Sequence, residues 1–115
     1  MKRSSDPLYR IYLVLEVLRS TGEREFPLQL ASTFTWIAAH NGCLQEDLSE
    51  VTSMSKSSVS RNVTWLGAIH RTGKDGLHLV RRERDEADRK RYRLFLTPKG
   101  QQFSNLITQQ LSNKL

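Results

Sequence analysis

Hydrophobic positions first recur at helical spacing. Over residues 6–20, Leu8, Tyr9, Ile11, Tyr12, Leu13, Val14, Leu15, Val17 and Leu18 surround nearly the whole helical circumference, interrupted only by Arg10, Glu16 and Arg19. Asp6 is a good N-cap and Pro7 suits the first helical position. A helix apolar all round must be covered on more than one side. In a chain of 115 residues, one of those covers is expected to be a second subunit. Residues 20–26 read as a linker. A second helix starts at Pro27, with Leu30, Phe34, Ile37 and Ala38 on one face, and Asn41-Gly42 predicts a left-handed cap. A short third helix is predicted over 44–51, with Leu44, Leu48 and Val51 on one face. Thr52-Ser53-Met54 then turns the chain into a fourth helix over 56–69, capped by Ser55.

Beyond that point the period drops from 3.6 to 2. Gly73-Lys74-Asp75-Gly76 is a turn signal. Residues 77–84 read as a strand, 85–90 as a polar tip and 91–97 as the returning strand. In the latter, Tyr92, Leu94 and Leu96 alternate with Arg91, Arg93 and Phe95. Thr97 and Pro98 open a last helix over 98–112, with Phe103, Leu106, Ile107 and Leu111 on one stripe. The expected fold is mainly α with a small β-hairpin, in the order α-α-α-α-β-β-α, within one domain spanning residues 1–115.

The third and fourth helices have the spacing of a helix-turn-helix. On a wheel of the fourth, Val59, Asn62, Val63 and Leu66 face the core. Ser57, Ser60, Arg61 and Thr64 lie opposite, with Lys56 at the N-terminal end. Small hydroxyls let a helix approach the major groove closely, and the Arg61 fork suits guanine O6 and N7. Four serines among residues 55–60 make poor helix composition, so something other than helix propensity selects them. The hairpin follows with Arg81, Arg82, Arg84, Arg89, Lys90, Arg91 and Arg93. A basic hairpin beside such a helix is a wing, able to place Arg in a narrow minor groove. Glu83, Asp85, Glu86 and Asp88 are expected to hold some of these arginines by salt bridges.

Charge narrows the partner. The chain carries 18 Lys+Arg against 12 Asp+Glu, a net +6. Residues 1–54 are net −2 and residues 55–99 net +7, so the whole excess sits on the fourth helix and hairpin. A local positive field suits phosphate contacts, which dominate nucleic-acid affinity. Other classes recede. One cysteine forms no intrachain disulfide. The longest apolar run, residues 11–15, falls far short of the roughly 20 needed to span a bilayer. No small-residue cleavage site follows the basic N-terminus. The expectation is a soluble cytoplasmic domain that makes no membrane contact. His40, His70 and His78 are scattered, no metal-ligand spacing or phosphate loop appears, and neither catalysis nor a cofactor or metal is expected. Cys43, at the start of the predicted third helix, reads as a small packing residue, with a redox sensor as the alternative. Trp36 and Trp65 read as core.

The segment Glu46-Asp47-Leu48-Ser49-Glu50-Val51-Thr52-Ser53-Met54-Ser55-Lys56-Ser57-Ser58-Val59-Ser60-Arg61 resembles the helix-turn-helix of the multiple-antibiotic-resistance regulator (MarR) family of winged-helix transcription regulators. Asp85-Glu86-Ala87-Asp88-Arg89-Lys90 resembles that family's wing signature, and Leu96-Thr97-Pro98-Lys99-Gly100 its strand-to-helix junction. The resemblance implies a homodimer on a pseudo-palindromic operator in double-stranded DNA, and a chain this small offers little surface for polymerase contact, which favours a repressor over an activator. It implies a winged helix-turn-helix over 27–97, with 6–20 and 98–112 as dimerisation helices. The dimer contacts would then be Leu8, Ile11, Tyr12, Leu15 and Leu18 with Phe103, Leu106, Ile107 and Leu111. The DNA contacts would be Ser55, Lys56, Ser57, Ser60, Arg61 and Thr64 with Arg82, Arg84, Arg89, Lys90 and Arg91, Arg89 being the minor-groove residue. Two departures stand out. Several extra residues lie between Leu66 and Leu77, and only 15 follow Gly100, where the family has two longer helices that complete the dimer and help form a small-molecule effector pocket. Two other readings stay open: a plasmid or phage replication or partition factor, and a winged-helix protein-interaction module.

Overall fold

A computed structural model describes residues 6–21, 25–68 and 73–112. Its elements are α1 (Pro7–Arg19), α2 (Leu28–Ala39), β1 (Cys43–Leu44), α3 (Asp47–Thr52), α4 (Lys56–Leu66), β2 (Val80–Arg84), β3 (Tyr92–Leu96) and α5 (Pro98–Ser112). All five predicted helices and both hairpin strands are present, and β1 is added between α2 and α3. No helix among the described residues is long and apolar enough to cross a membrane.

Local chemistry sets the helix starts. The Asp6 carboxylate accepts the Leu8 and Tyr9 N–H groups at 2.8 and 3.3 Å, two of the donors that α1 leaves open. Ser55 Oγ does the same for α4, accepting the Ser58 N–H at 3.1 Å. Thr97 Oγ1 accepts from the Gly100 N–H at 2.9 Å and starts α5. Gly100 itself is required by packing, because a Cβ there would overlap the Leu79 carbonyl oxygen.

Several boundaries differ from the sequence pattern, each for a tertiary reason. Leu44 does not begin the third helix; Cys43 and Leu44 form β1, paired antiparallel with Leu94 and Arg93 of β3. Two residues carry no periodicity, so only long-range pairing defines this strand. Cys43 therefore stands in a strand and not at a helix N-terminus. The left-handed residue after α2 is Gly42 at φ +90°, while His40 caps the helix with ordinary negative φ. α4 ends at Leu66, short of residue 69, because the chain returning from the loop takes its free carbonyls. Leu77 N–H donates to Trp65 O, Leu79 N–H to Leu66 O and His78 N–H to Gly67 O, at 2.8–2.9 Å. The same bonds keep residues 77–79 out of the ladder, so β2 begins at Val80. Residues 67–68 are thus not added helix. Residues 69–72, His70 included, lie outside the described residues.

The sheet has the order β1-β3-β2, antiparallel throughout. The core lies where α2 crosses it, with Leu30, Phe34, Ile37, Leu48, Leu66 and Leu94 fully buried. Phe103 of α5 meets Phe34 edge to face, ring centroids 5.5 Å apart. Trp36 and Trp65 pack against this core as half-buried side chains. α1 runs along α5, and Arg10 Nη1 donates to the Gln110 carbonyl at 3.0 Å. The molecule measures 52 × 29 × 27 Å with a radius of gyration of 15.0 Å, above the roughly 13 Å of a compact chain this long.

Candidate nucleic-acid interface

α4 is held by one face and displays the other. Val59, Asn62, Val63 and Leu66 are buried. Asn62 Nδ2 reaches Thr33 Oγ1 of α2 at 3.3 Å, so even the polar member of the buried face has a partner. The outward face carries Ser57, Ser60, Arg61 and Thr64. Arg61 Nη2 donates to Ser58 Oγ at 3.1 Å, a single exposed bond that leaves most of the guanidinium available. The Ser57 hydroxyl is 3.2 Å from that of Ser55.

The wing lies beside this helix. Lys56 and Val59 of α4, Ser49 of α3, and Lys90, Arg91 and Tyr92 of the hairpin line one cleft of about 180 Å³. At the far end, Thr64 shares a cleft of about 450 Å³ with Arg81 and Arg82. The fold thus places Lys56 of α4 beside Lys90 and Arg91, and Thr64 beside Arg82.

Within the wing, the cations are unequally engaged. Arg82 and Arg84 place their guanidinium carbons 4.4 and 4.8 Å from the Tyr92 ring centroid, and Arg81 sits 4.6 Å from that of Phe95. Arg84 Nη1 also donates to the Arg89 carbonyl at 2.7 Å. Arg81 pairs with Glu83, two residues on along the same face of β2. Arg91 pairs with Glu46 at 2.7 Å and lies 3.6 Å from Asp88. Arg93 pairs with Asp85 at 2.6 Å. Glu83, Asp85 and Asp88 therefore do hold arginines, while Glu86 makes no ion pair among the described residues. Tyr92 and Glu46 were not singled out by sequence; the signal for Tyr92 was available, since hairpin register puts it opposite Arg84. Among the described residues, the Arg89 and Lys90 side chains make no hydrogen bond or ion pair. Both are exposed at the tip.

The tip has a fixed shape. Asp85 Oδ2 accepts the Asp88 N–H at 3.0 Å, and Asp88 Oδ1 accepts the Lys90 N–H at 3.1 Å. The hydrogen bond from Arg93 outweighs burial and holds the Asp85 carboxyl below the usual carboxylate range. Cys43 moves the other way. Burial first, then the Asp47 charge, pushes its thiol up. A raised pKa disfavours the thiolate that redox sensing needs.

The residues expected at a subunit contact divide in two. Leu18, Phe103 and Ile107 are buried in this chain's own core. Leu8, Ile11, Tyr12 and Leu15 of α1 and Leu106 and Leu111 of α5 remain exposed, Leu8 by 77%. That is a large apolar area for a surface. No grouping of His, Cys, Asp and Glu suited to a metal ion occurs among the described residues.

No protein-family model matches the sequence, and no curated protein matches it. Solved structures do. A MarR transcriptional regulator from Methanosarcina mazei Go1 is 25% identical over 91% of this chain and 69% of its own, with a TM-score of 0.67. Streptococcus pneumoniae FabT, solved in complex with DNA, is 22% identical over 89% of this chain and 67% of its own, at a TM-score of 0.63. The S. aureus MepR–DNA complex is 19% identical over 90% and 82%, at 0.69. The winged-helix fold implied by the sequence resemblance is the fold observed.

Proposed function

We infer that this chain, built on the winged helix-turn-helix fold of the MarR-type regulators, is itself a transcription regulator that binds double-stranded DNA. It acts as a homodimeric repressor on a pseudo-palindromic operator. Residues 27–97 form the DNA-binding part, and residues 6–20 and 98–112 the dimerisation helices. α4 enters the major groove, where Ser57, Ser60, Arg61 and Thr64 meet bases or phosphates. Ser55 and Lys56 meet the backbone at its start. The wing follows the backbone into the adjoining minor groove, led by Arg89 and Lys90, with Arg82, Arg84 and Arg91 behind them. The exposed apolar side chains of α1 and α5 meet those of a second copy.

The observation that carries this reading is the two-faced α4. One side is locked into the core through Val59, Asn62, Val63 and Leu66, and the other offers short hydroxyls and one Arg beside a cationic hairpin. A groove about 12 Å wide admits an α-helix, and short leading side chains let the helix backbone approach the bases closely while one Arg reaches a guanine edge. That two of the similar structures were solved with DNA supports the same reading. A gel shift against the region upstream of the chain's own gene, with competitor DNA at physiological salt, tests it. A discrete shifted band that survives competitor is expected; binding no tighter than to random duplex would overturn it.

A further inference from the structure

Arg93 belongs to the basic hairpin by sequence, yet its guanidinium, though part-exposed, is bonded to two acceptors of its own chain. Nε donates to Asp85 Oδ1 at 2.6 Å and Nη1 to the Gly42 carbonyl at 2.7 Å. The two acceptors belong to different parts of the molecule. Gly42 lies in the turn from α2 to β1, within the helix-turn-helix frame. Asp85 follows β2 and starts the wing tip. Its carboxylate is almost buried, and its second oxygen accepts the Asp88 N–H. From there, Asp85 N–H donates to Arg91 O and Arg91 N–H to Asp88 O, both at 2.9 Å. A continuous chain of bonds thus runs from the frame through Arg93 and Asp85 to the turn that carries Arg89 and Lys90.

We propose that Arg93 is a positioning residue of the nucleic-acid interface: it bridges Gly42 and Asp85, and so fixes the wing tip relative to α4 without touching DNA. A planar guanidinium can join two acceptors in fixed geometry, which a Lys ammonium on a flexible stem does poorly. Turning Arg93 outward to a phosphate would leave the nearly buried Asp85 carboxylate without its cation, a costly arrangement. The bridge therefore favours a scaffold role over a contact. The inference rests on the DNA reading only in that Arg89 and Lys90 need a duplex to act on.

The test combines two measurements on the full chain and its Arg93→Met and Arg93→Lys variants. Amide exchange by NMR should rise roughly tenfold or more at Asp88 and Lys90 in both variants, with Val63 of α4 unchanged as the check on folding. Binding to the upstream duplex is then measured in a cycle with Arg89→Ala. The Arg89→Ala loss should be clearly smaller in the Arg93→Met background than in the wild type, because the tip is already misplaced. Unchanged exchange at Asp88 and Lys90, or strictly additive binding losses, would overturn the proposal. If the wild-type chain binds no duplex, the DNA reading fails, and the exchange data alone decide whether the bridge holds the tip.

Discussion

α4 and the wing share the chain's excess of positive charge, but they hold their cations in different ways. On α4, the buried face does the structural work and Arg61 makes one local bond to Ser58. In the wing, structural work falls to the cations themselves. Arg81, Arg91 and Arg93 pair with Glu83, Glu46 and Asp85, and Arg82 and Arg84 lie over Tyr92. A buried helix face can anchor an element through apolar contact. The hairpin is anchored that way at its base through Val80 and Leu94, but the tip beyond carries little apolar surface and is braced by ion pairs and rings instead. On the proposed DNA reading, charge count therefore overstates contact count in the wing more than in α4. The net +7 of residues 55–99 resolves into a few cations free to meet phosphate and several that hold the tip in place.

The largest expected effect separates the two copies of both elements. Ile11→Asp puts a charge on the exposed apolar face of α1, and loss of the second copy should lower operator affinity by about 10²–10⁴-fold. Analytical ultracentrifugation beside the binding curve checks it; tight binding by a monomer would remove the dimer from the account. Next comes Arg61→Ala, expected to weaken binding by about 1–3 kcal/mol and to relax discrimination between the operator and a scrambled duplex. Retained discrimination would mean that α4 does not read the sequence.

Arg89→Ala sharpens the other side of the comparison. Binding should weaken on all sequences alike, and the salt dependence measured from 50 to 200 mM should lose about one unit of slope. Arg91→Ala removes a cation already paired with Glu46. The pair is half exposed, so the change in affinity should stay below about 1 kcal/mol, with the slope nearly intact. An Arg91 effect equal to that of Arg89 would erase the division between bracing and contacting cations.

The smallest effect is on pH. The folded-state pKa of Asp85 lies below its ordinary 3.8, so its bracing is fully present above that value. It is lost only as the pH falls through the lower folded value. Protection of the Asp88 amide, which Asp85 Oδ2 accepts, followed by NMR in acid, should outlast the titration of free carboxylates and then collapse. Protection lost at or above the ordinary value would show that the carboxylate is not the brace.

Much of this was legible in the chain. The α4 wheel separated Val59, Asn62, Val63 and Leu66 from Ser57, Ser60, Arg61 and Thr64 because burial on a helix follows a local period. The Asp6, Ser55 and Thr97 starts were legible because capping is a contact within three residues. What stayed hidden depends on distant partners. β1 exists only through β3, and α4 stops where Leu77 and Leu79 take its carbonyls. Arg93 reads as one more wing cation until Gly42, 51 residues earlier, is beside it. Leu18, Phe103 and Ile107 looked like subunit contacts because a stripe of apolar residues does not say which side its own chain already covers.

Hydroxyl-radical footprinting of the wild-type chain on the upstream duplex tests the central claim most directly. α4 in the major groove and the Arg89 tip in the minor groove predict two symmetric protected half-sites, with centres separated by about 10 bp or a multiple of it. Minor-groove protection should flank each half-site and vanish in Arg89→Ala. A single unsymmetric tract, or protection spread evenly along the duplex, would contradict the account.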